Sequence, residues 1–209
     1  MIELLREISE ADMVAAFLRA EITSPRFSGK LAEAMEAAGA REVQIAQPDT
    51  TNDSDNEVRA QVLGYYRGYR HNRWLFGGFP DNLHWYKARL PREEIGDLRY
   101  VDYSYWNELT DNTHLVKDGV ANIRKDKVVS DVSNHNYLTV ADAIRHGRHD
   151  FEPIIVWGEA VSAPLEILEG HLRATAFGLA AEKAPTVIPV IVGLLRAADT
   201  VRASADTHE

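Results

Sequence analysis

Residues 151–192 read FEPIIVWGEAVSAPLEILEGHLRATAFGLAAEKAPTVIPVIV, and this stretch decides the fold. Pro153 opens Ile154-Ile155-Val156-Trp157, a continuous apolar run with the character of a strand buried on both faces. Ala163-Pro164 turns the chain, and Leu165-Glu166-Ile167-Leu168-Glu169 returns it as a second strand. Gly170-His171-Leu172-Arg173 then passes abruptly into a helix, and Ile188-Pro189-Val190-Ile191-Val192 supplies a third strand. Strands alternating with a helix predict an α/β (α+β) fold with a mixed sheet. The same layout sets a glycine and an arginine at a helix mouth, where backbone N–H groups point outward and an anion is favoured.

Upstream of this stretch, Tyr137 to His146 has helical spacing, with Thr139 as its cap, Val140, Ala143 and Ile144 as its buried face, and Gly147 as its stop. Thr113 to Arg124 reads as another helix. Residues 125–136 are polar and irregular, and Val101 to Trp106 is aromatic enough for a core without a clean period. Leu83 to Leu90 alternates as a strand that Pro91 ends. Further back, Ser9-Glu10-Ala11-Asp12 has the form of a capping box ahead of a helix over about 10–22. Ser24 to Phe27 breaks that helix, and Leu31 to Gly39 forms the next. Val43 to Ala46 reads as a short strand, Gln47 to Glu57 as an acidic loop, and Val58 to Arg70 as a helix. The expected organisation is an N-terminal helical region, 1–80, a core over 81–197 with an insertion near 101–136, and a polar tail over 198–209.

The 209 residues include no cysteine, which removes disulfides, thiolate metal sites and cysteine nucleophiles. A net charge of -9 argues against a broad nucleic-acid surface, although a local basic site is compatible with it. The N-terminus lacks a cationic segment ahead of an apolar core, and the run from Val187 to Leu195 is far shorter than the roughly 20 residues of a membrane helix. A cytoplasmic protein without a membrane partner is the expectation.

From residue 137 to 193 the chain resembles the ParB/sulfiredoxin-like superfamily. The residues that carry the resemblance are a helix ending in glycine, PIIV, an LEIL strand, G-x-x-R-x-x-A opening a helix, and IPVIV. The first strand of that fold is expected in Trp85 to Leu90. The resemblance implies a nucleotide-binding protein, taking ATP or CTP with Mg2+, whose phosphates rest on the family glycine and arginine. Carried over, these are Gly170 and Arg173, with Ala176 as the small residue that lets the helix pack closely. Phosphotransfer or hydrolysis is the chemistry it implies. Glu169-Gly170-His171 is similar to the acid-Gly-His stretch of the free-serine kinases, but Leu172 stands where those have a second histidine. The cysteine of the sulfiredoxins is missing after the glycine, and a partition clamp of ParB type, which continues into a helix-turn-helix domain, is not expected.

The residues support the same expectation on chemical grounds. Arg173 can reach a phosphate bidentately, His171 can donate to it or act as acid or base, and Glu169 can hold a metal or activate a hydroxyl. Against this stand plainer roles: a helix-capping His171, a solvated Glu169, and an Arg173 paired with Glu169 or Glu182. The loop with Arg145, Arg148 and His149 is expected to border the pocket, with Arg148 as a further phosphate ligand. His135, His146 and His149 fix no zinc site, because their spacing crosses a helix stop and no third ligand is set. Arg67, Arg70 and Arg73, with their tyrosines and Trp74, form the one basic and aromatic cluster. They read either as a DNA contact surface or as arginines lying over a small aromatic core. A non-catalytic regulatory module is the remaining class.

Overall fold

The computed structural model describes residues 2–24, 28–148 and 150–196. The break at Pro25 to Phe27, His149 and the polar tail over 198–209 lie outside the described residues. The chain divides into two compact units, one of residues 8–85 and one of residues 1–7 with the chain from Tyr86 onward. Both helix and strand are well represented, and the fold is α/β, as the alternation of elements predicts.

The unit of residues 8–85 is helical. Its first helix, α1 (Glu10–Ile22), starts at the expected capping box: Asp12 N–H donates to Ser9 Oγ at 3.1 Å, and Ser9 N–H to the Asp12 carboxylate at 3.0 Å. Met13, Phe17 and Leu18 are fully buried on one face. Behind α2 (Ser28–Ala37), the segment expected as a strand is a helix, α3 (Glu42–Ala46). Its short V-Q-I-A run alternates in sequence, but Ile45 is buried while Val43 is half exposed, and Gln44 accepts from Arg41 N–H at 2.8 Å in a helix-start contact. The expected acidic loop is likewise shorter than its composition suggests. From Asp53 the chain is already α4 (Asp53–Arg67), capped by Asn52, whose side chain accepts from Asp55 N–H at 3.1 Å. Asp53 and Asp55 are acidic because they occupy the positive end of a helix. Gly68, at φ 83°, ends α4. Fully buried Arg59 ties the connecting loop to α4 by donating to the carbonyls of Gln44 at 3.0 Å and Asp49 at 2.7 Å.

The other unit is built on a five-stranded sheet in the order β1-β2-β5-β3-β4, with β1 at Glu3–Ile8, β2 at His84–Pro91, β3 at Ile154–Gly158, β4 at Glu166–Glu169 and β5 at Val187–Leu194. The first strand has no counterpart in the sequence expectations. β3 runs parallel to β5, with Ile154 opposite Val190, and antiparallel to β4, with Val156 opposite Ile167. Ile154, Ile155 and Val156 are all fully buried, so β3 is covered on both faces as its unbroken apolar run requires. Full burial of each such side chain contributes about 1.5–3 kcal/mol.

Four α-helices accompany the sheet among the described residues: α5 (Ser104–Leu109), α6 (Val116–Ile123), α7 (His135–Arg145) and α8 (His171–Leu179). The aromatic stretch without a period thus runs into α5. α7 starts four residues before its expected cap, because His135 N–H donates to Ser133 Oγ at 3.1 Å and places Thr139 inside the helix. Ile154, Val156, Ile167, Val190 and Val192 form one core with side chains of α6, α7 and α8. α8 lies close to α6: a Cβ on Gly178 would stand 2.8 Å from Val120 Cγ2, which leaves room for glycine alone without a shift. Ala174 and Ala176 are fully buried on the same helix.

Candidate functional site at the mouth of α8

β4 delivers Glu169 at its last position, and the chain turns into α8 through Gly170, whose φ of 98° lies in the region that favours glycine. Gly170 brings no side-chain cap, so the first N–H groups of α8 receive no hydrogen bond from it. What occupies the turn instead is Arg173. A Cβ on Gly170 would stand 2.9 Å from Arg173 Nη2 and 3.3 Å from the Ile154 Cα, so the guanidinium lies across the bare glycine at the start of β3. Glu169 holds it there in an ion pair, and the Pro153 carbonyl accepts from Nη2 at 3.5 Å. Both side chains of the pair are 13% exposed. Arg173 Nε is buried and has no hydrogen-bond partner.

His171 occupies the first helical position. Its ring lies nearly parallel to Trp106 at 5.2 Å and to Tyr100 at 6.1 Å, while Tyr100 and Trp106 stack at 4.3 Å. Rings stack at about 3.5 Å, so opposite faces of Trp106 would keep Tyr100 and His171 about 7 Å apart or more. Tyr100 and His171 therefore do not sandwich Trp106. Tyr100 is fully buried, and burial pushes its phenol well above the usual range. Thr175 uses its one hydroxyl proton on the His171 carbonyl at 2.7 Å, so the 2.6 Å contact with Tyr100 is a bond donated by the tyrosine. The chain Tyr100, Thr175, His171 fastens the first turn of α8. Tyr100 itself is placed by backbone pairing, since Arg99 N–H donates to Leu165 O at 2.9 Å and Tyr100 N–H to His114 O at 2.8 Å.

The far end of α8 is held by two arginines. Arg145 donates to the Leu179 carbonyl at 2.7 Å and pairs with Glu182 at 3.0 Å, and Arg124 reaches the Gly178 and Leu179 carbonyls at 3.3 Å each. Cations belong at this negative end of the helix. This corrects the expectation that Arg145 borders the glycine turn, because its guanidinium caps the opposite end. The plainer pairing of Arg173 with Glu182 is likewise not formed, since Glu182 belongs to Arg145.

Arg148 is exposed, with Asp150 at 3.4 Å and the Phe151 ring at 5.7 Å from its guanidinium carbon. Phe151 in turn meets Phe177 of α8 edge-on at 6.0 Å. The structure thus gathers Glu169, Gly170 and Arg173 in one turn, sets His171 beside them within an aromatic group, and gives Arg148 local partners of its own. His146 pairs within its own helix with Asp142, and His135 with Thr139. Among the described residues no group of three or more His, Asp and Glu side chains could hold a metal ion. In the helical unit Arg67 pairs with Glu21 at 2.9 Å over the Tyr66 ring, and Arg70 with Glu57 at 3.2 Å, so two of the three clustered arginines are neutralised. Trp106, Tyr100 and Thr175 were invisible as site residues in the sequence, for they meet α8 only through tertiary packing. No protein-family model matches the chain, and no curated protein or solved structure is significantly similar to it.

Proposed function

We propose that the mouth of α8 binds the phosphates of a nucleotide, ATP or CTP with Mg2+, and that the unit from Tyr86 onward is a ParB/sulfiredoxin-like nucleotide-binding core. One observation carries this reading: Arg173, held in the first turn of α8 across an uncapped glycine, with its Nε buried and unpartnered. The helix end contributes about half a positive charge. Together with Arg173 it outweighs the single Glu169 carboxylate by about half a charge, so the turn keeps a surplus that favours a polyanion. A phosphate there accepts from the backbone N–H groups and from the guanidinium in place of Glu169. Mg2+ travels on the nucleotide phosphates and keeps several of its waters, so it needs no dedicated cage from the protein. Binding, more than turnover, is what the turn supports: His171 is packed against Trp106, and Glu169 is engaged with Arg173.

The test is a thermal-shift titration of the full chain with ATP, ADP, CTP and GTP plus Mg2+, repeated with Arg173→Ala. A ligand that binds the folded state raises the midpoint by mass action. The expected result is stabilisation by at least one triphosphate, lost in the variant. No shift with any of them overturns the proposal and leaves a second reading, a non-catalytic module, which the internally satisfied Glu169–Arg173 pair favours.

A further inference from the structure

Within the helical unit, α1 and α4 border a hollow of about 250 Å3 that shares no residue with the mouth of α8. Ala11, Val14 and Ala60 supply its apolar lining, and Asp53, Glu57, Tyr69 and Arg70 are among its polar residues. Tyr69 is 4% exposed, and its hydroxyl is buried with no hydrogen bond of normal geometry to the protein. A buried polar group in that condition is uncommon enough to need an explanation. Burial and the nearby Glu10 push its ionisation upward, so it is a neutral phenol with lone pairs to offer.

Arg70 marks what the hollow attracts. It sits at φ 58°, a backbone conformation that side chains other than glycine rarely adopt, and its guanidinium carbon lies 5.2 Å from the centre of the Tyr69 ring. Glu57 stands 3.2 Å away and Glu10 4.0 Å away. A cation over an aromatic face between carboxylates is a favourable arrangement. Yet one arginine faces two carboxylates, Glu10 and Glu57, with Asp53 lining the same hollow, and its side chain is 54% exposed, so solvent can take it at little cost.

We propose that this hollow binds a small organic cation, a primary ammonium compound, with its ammonium between Glu10 and Glu57 in place of the Arg70 guanidinium and one N–H donated to the Tyr69 hydroxyl. An ammonium has three donors and no acceptor, which matches two carboxylates and a phenol oxygen. An anion meets the wrong charge, and an uncharged ligand leaves the carboxylate excess unused. Arg70 is the internal competitor of the ligand, and its removal frees the position.

Isothermal titration of the full chain with 1,4-diaminobutane, beside sodium chloride as the inorganic control, tests this. Saturable one-to-one binding is expected with the diamine alone. Tyr69→Phe should weaken it about tenfold, the value of a hydrogen bond to a charged group. Glu57→Gln, at an exposed position, should weaken it without endangering the fold. Arg70→Gly suits the left-handed backbone and should tighten binding about two- to fivefold by removing a competing ion pair. An Arg70 that only supports the structure would leave affinity unchanged or lower it. No saturable binding by either the wild-type or the Arg70→Gly protein at millimolar diamine, or equal binding of sodium, overturns the proposal.

Discussion

Replacing Glu169 by glutamine separates the two things the carboxylate does at the mouth of α8. Both members of the Glu169–Arg173 pair are 13% exposed, so the pair is largely out of water. Two unit charges at contact attract by about 4 kcal/mol at an effective dielectric of 20, and desolvation offsets much of this. Exposed pairs contribute about 0–1 kcal/mol, and breaking buried ones costs about 3–5 kcal/mol. This pair falls between, at about 2 kcal/mol. Glutamine keeps the shape and an acceptor, so the charge alone is lost. The unliganded variant should melt about 4–8 °C below the wild type, given about 2–4 °C per kcal/mol for domains of this size. A phosphate that takes Arg173 must displace Glu169 in the wild type but has no carboxylate to displace in the variant. The same 2 kcal/mol then appears as an affinity gain of about 30-fold. The assay is a series of thermal melts of both proteins across a titration with the nucleotide that stabilises the wild type. The two midpoints should start apart and converge at saturation. A variant that loses stability and affinity together refutes the reasoning, because Glu169 then assists the ligand rather than competing with it.

Gly170→Ala forces a side chain into the left-handed region, at about 1–2 kcal/mol, and against Arg173 Nη2 at 2.9 Å; a total loss of about 2–3 kcal/mol is expected in urea unfolding, smaller in an Arg173→Ala background where the nearest atom is gone. Arg124→Met and Arg145→Met share the Leu179 carbonyl as acceptor, so each alone should cost about 1 kcal/mol or less, and the double variant more than the sum, read from unfolding midpoints. Glu166 is held above the usual carboxylate range by burial, against Trp157, Arg99 and His114, which act to lower it. A carboxyl raised in the folded state favours folding when protonated and opposes it as pH rises past its ordinary value. Glu166→Gln should therefore gain most over the wild type at pH 8 in thermal melts and lose that advantage as pH falls toward 4.5.

The parts of the fold legible in the sequence were those whose signal is local. Ile154 to Trp157 announced a buried strand because no polar residue interrupts it, and Ser9 with Asp12 announced α1 because a capping box is complete within four residues. Gly170 stood out because an abrupt passage from strand to helix needs a left-handed residue. The misses have the opposite character. Glu3 to Ile8 is a strand because the sheet offers β2 as a partner, and its own alternation is too short to declare it. Val43 to Ala46 is equally short, and the tertiary bond from Gln44 to Asp55 at 2.6 Å accompanies its choice of helix. At the site, the turn of Glu169, Gly170 and Arg173 was legible as a unit, and the pairing of Glu169 with Arg173 stood among the expectations. The position of Trp106 over His171 was not, since those residues lie far apart in the chain and meet through the pairing of Arg99 and Tyr100 with distant backbone.

Three arginines surround the nine residues of α8, and their placement separates stability from other demands. Arg124 and Arg145 meet its carbonyl end, where a cation is favoured by about 0.3–1 kcal/mol. Arg173 stands in the first turn, where the same dipole disfavours it. A helix start shaped for stability alone takes Ser, Thr, Asp or Asn as its cap and acids in its first turn, as α1 does with Ser9, Glu10 and Asp12. α8 has neither, and the two departures are coupled. Any side chain at position 170 would bring a Cβ into the space of the Arg173 guanidinium, so the arginine can lie back across the turn only if the cap is given up. Glu169 then neutralises a charge that the helix would otherwise reject. Each exception requires the next, and together they keep a guanidinium beside a helix start that Gly170 leaves without a side-chain cap, an arrangement the stability of the helix does not require.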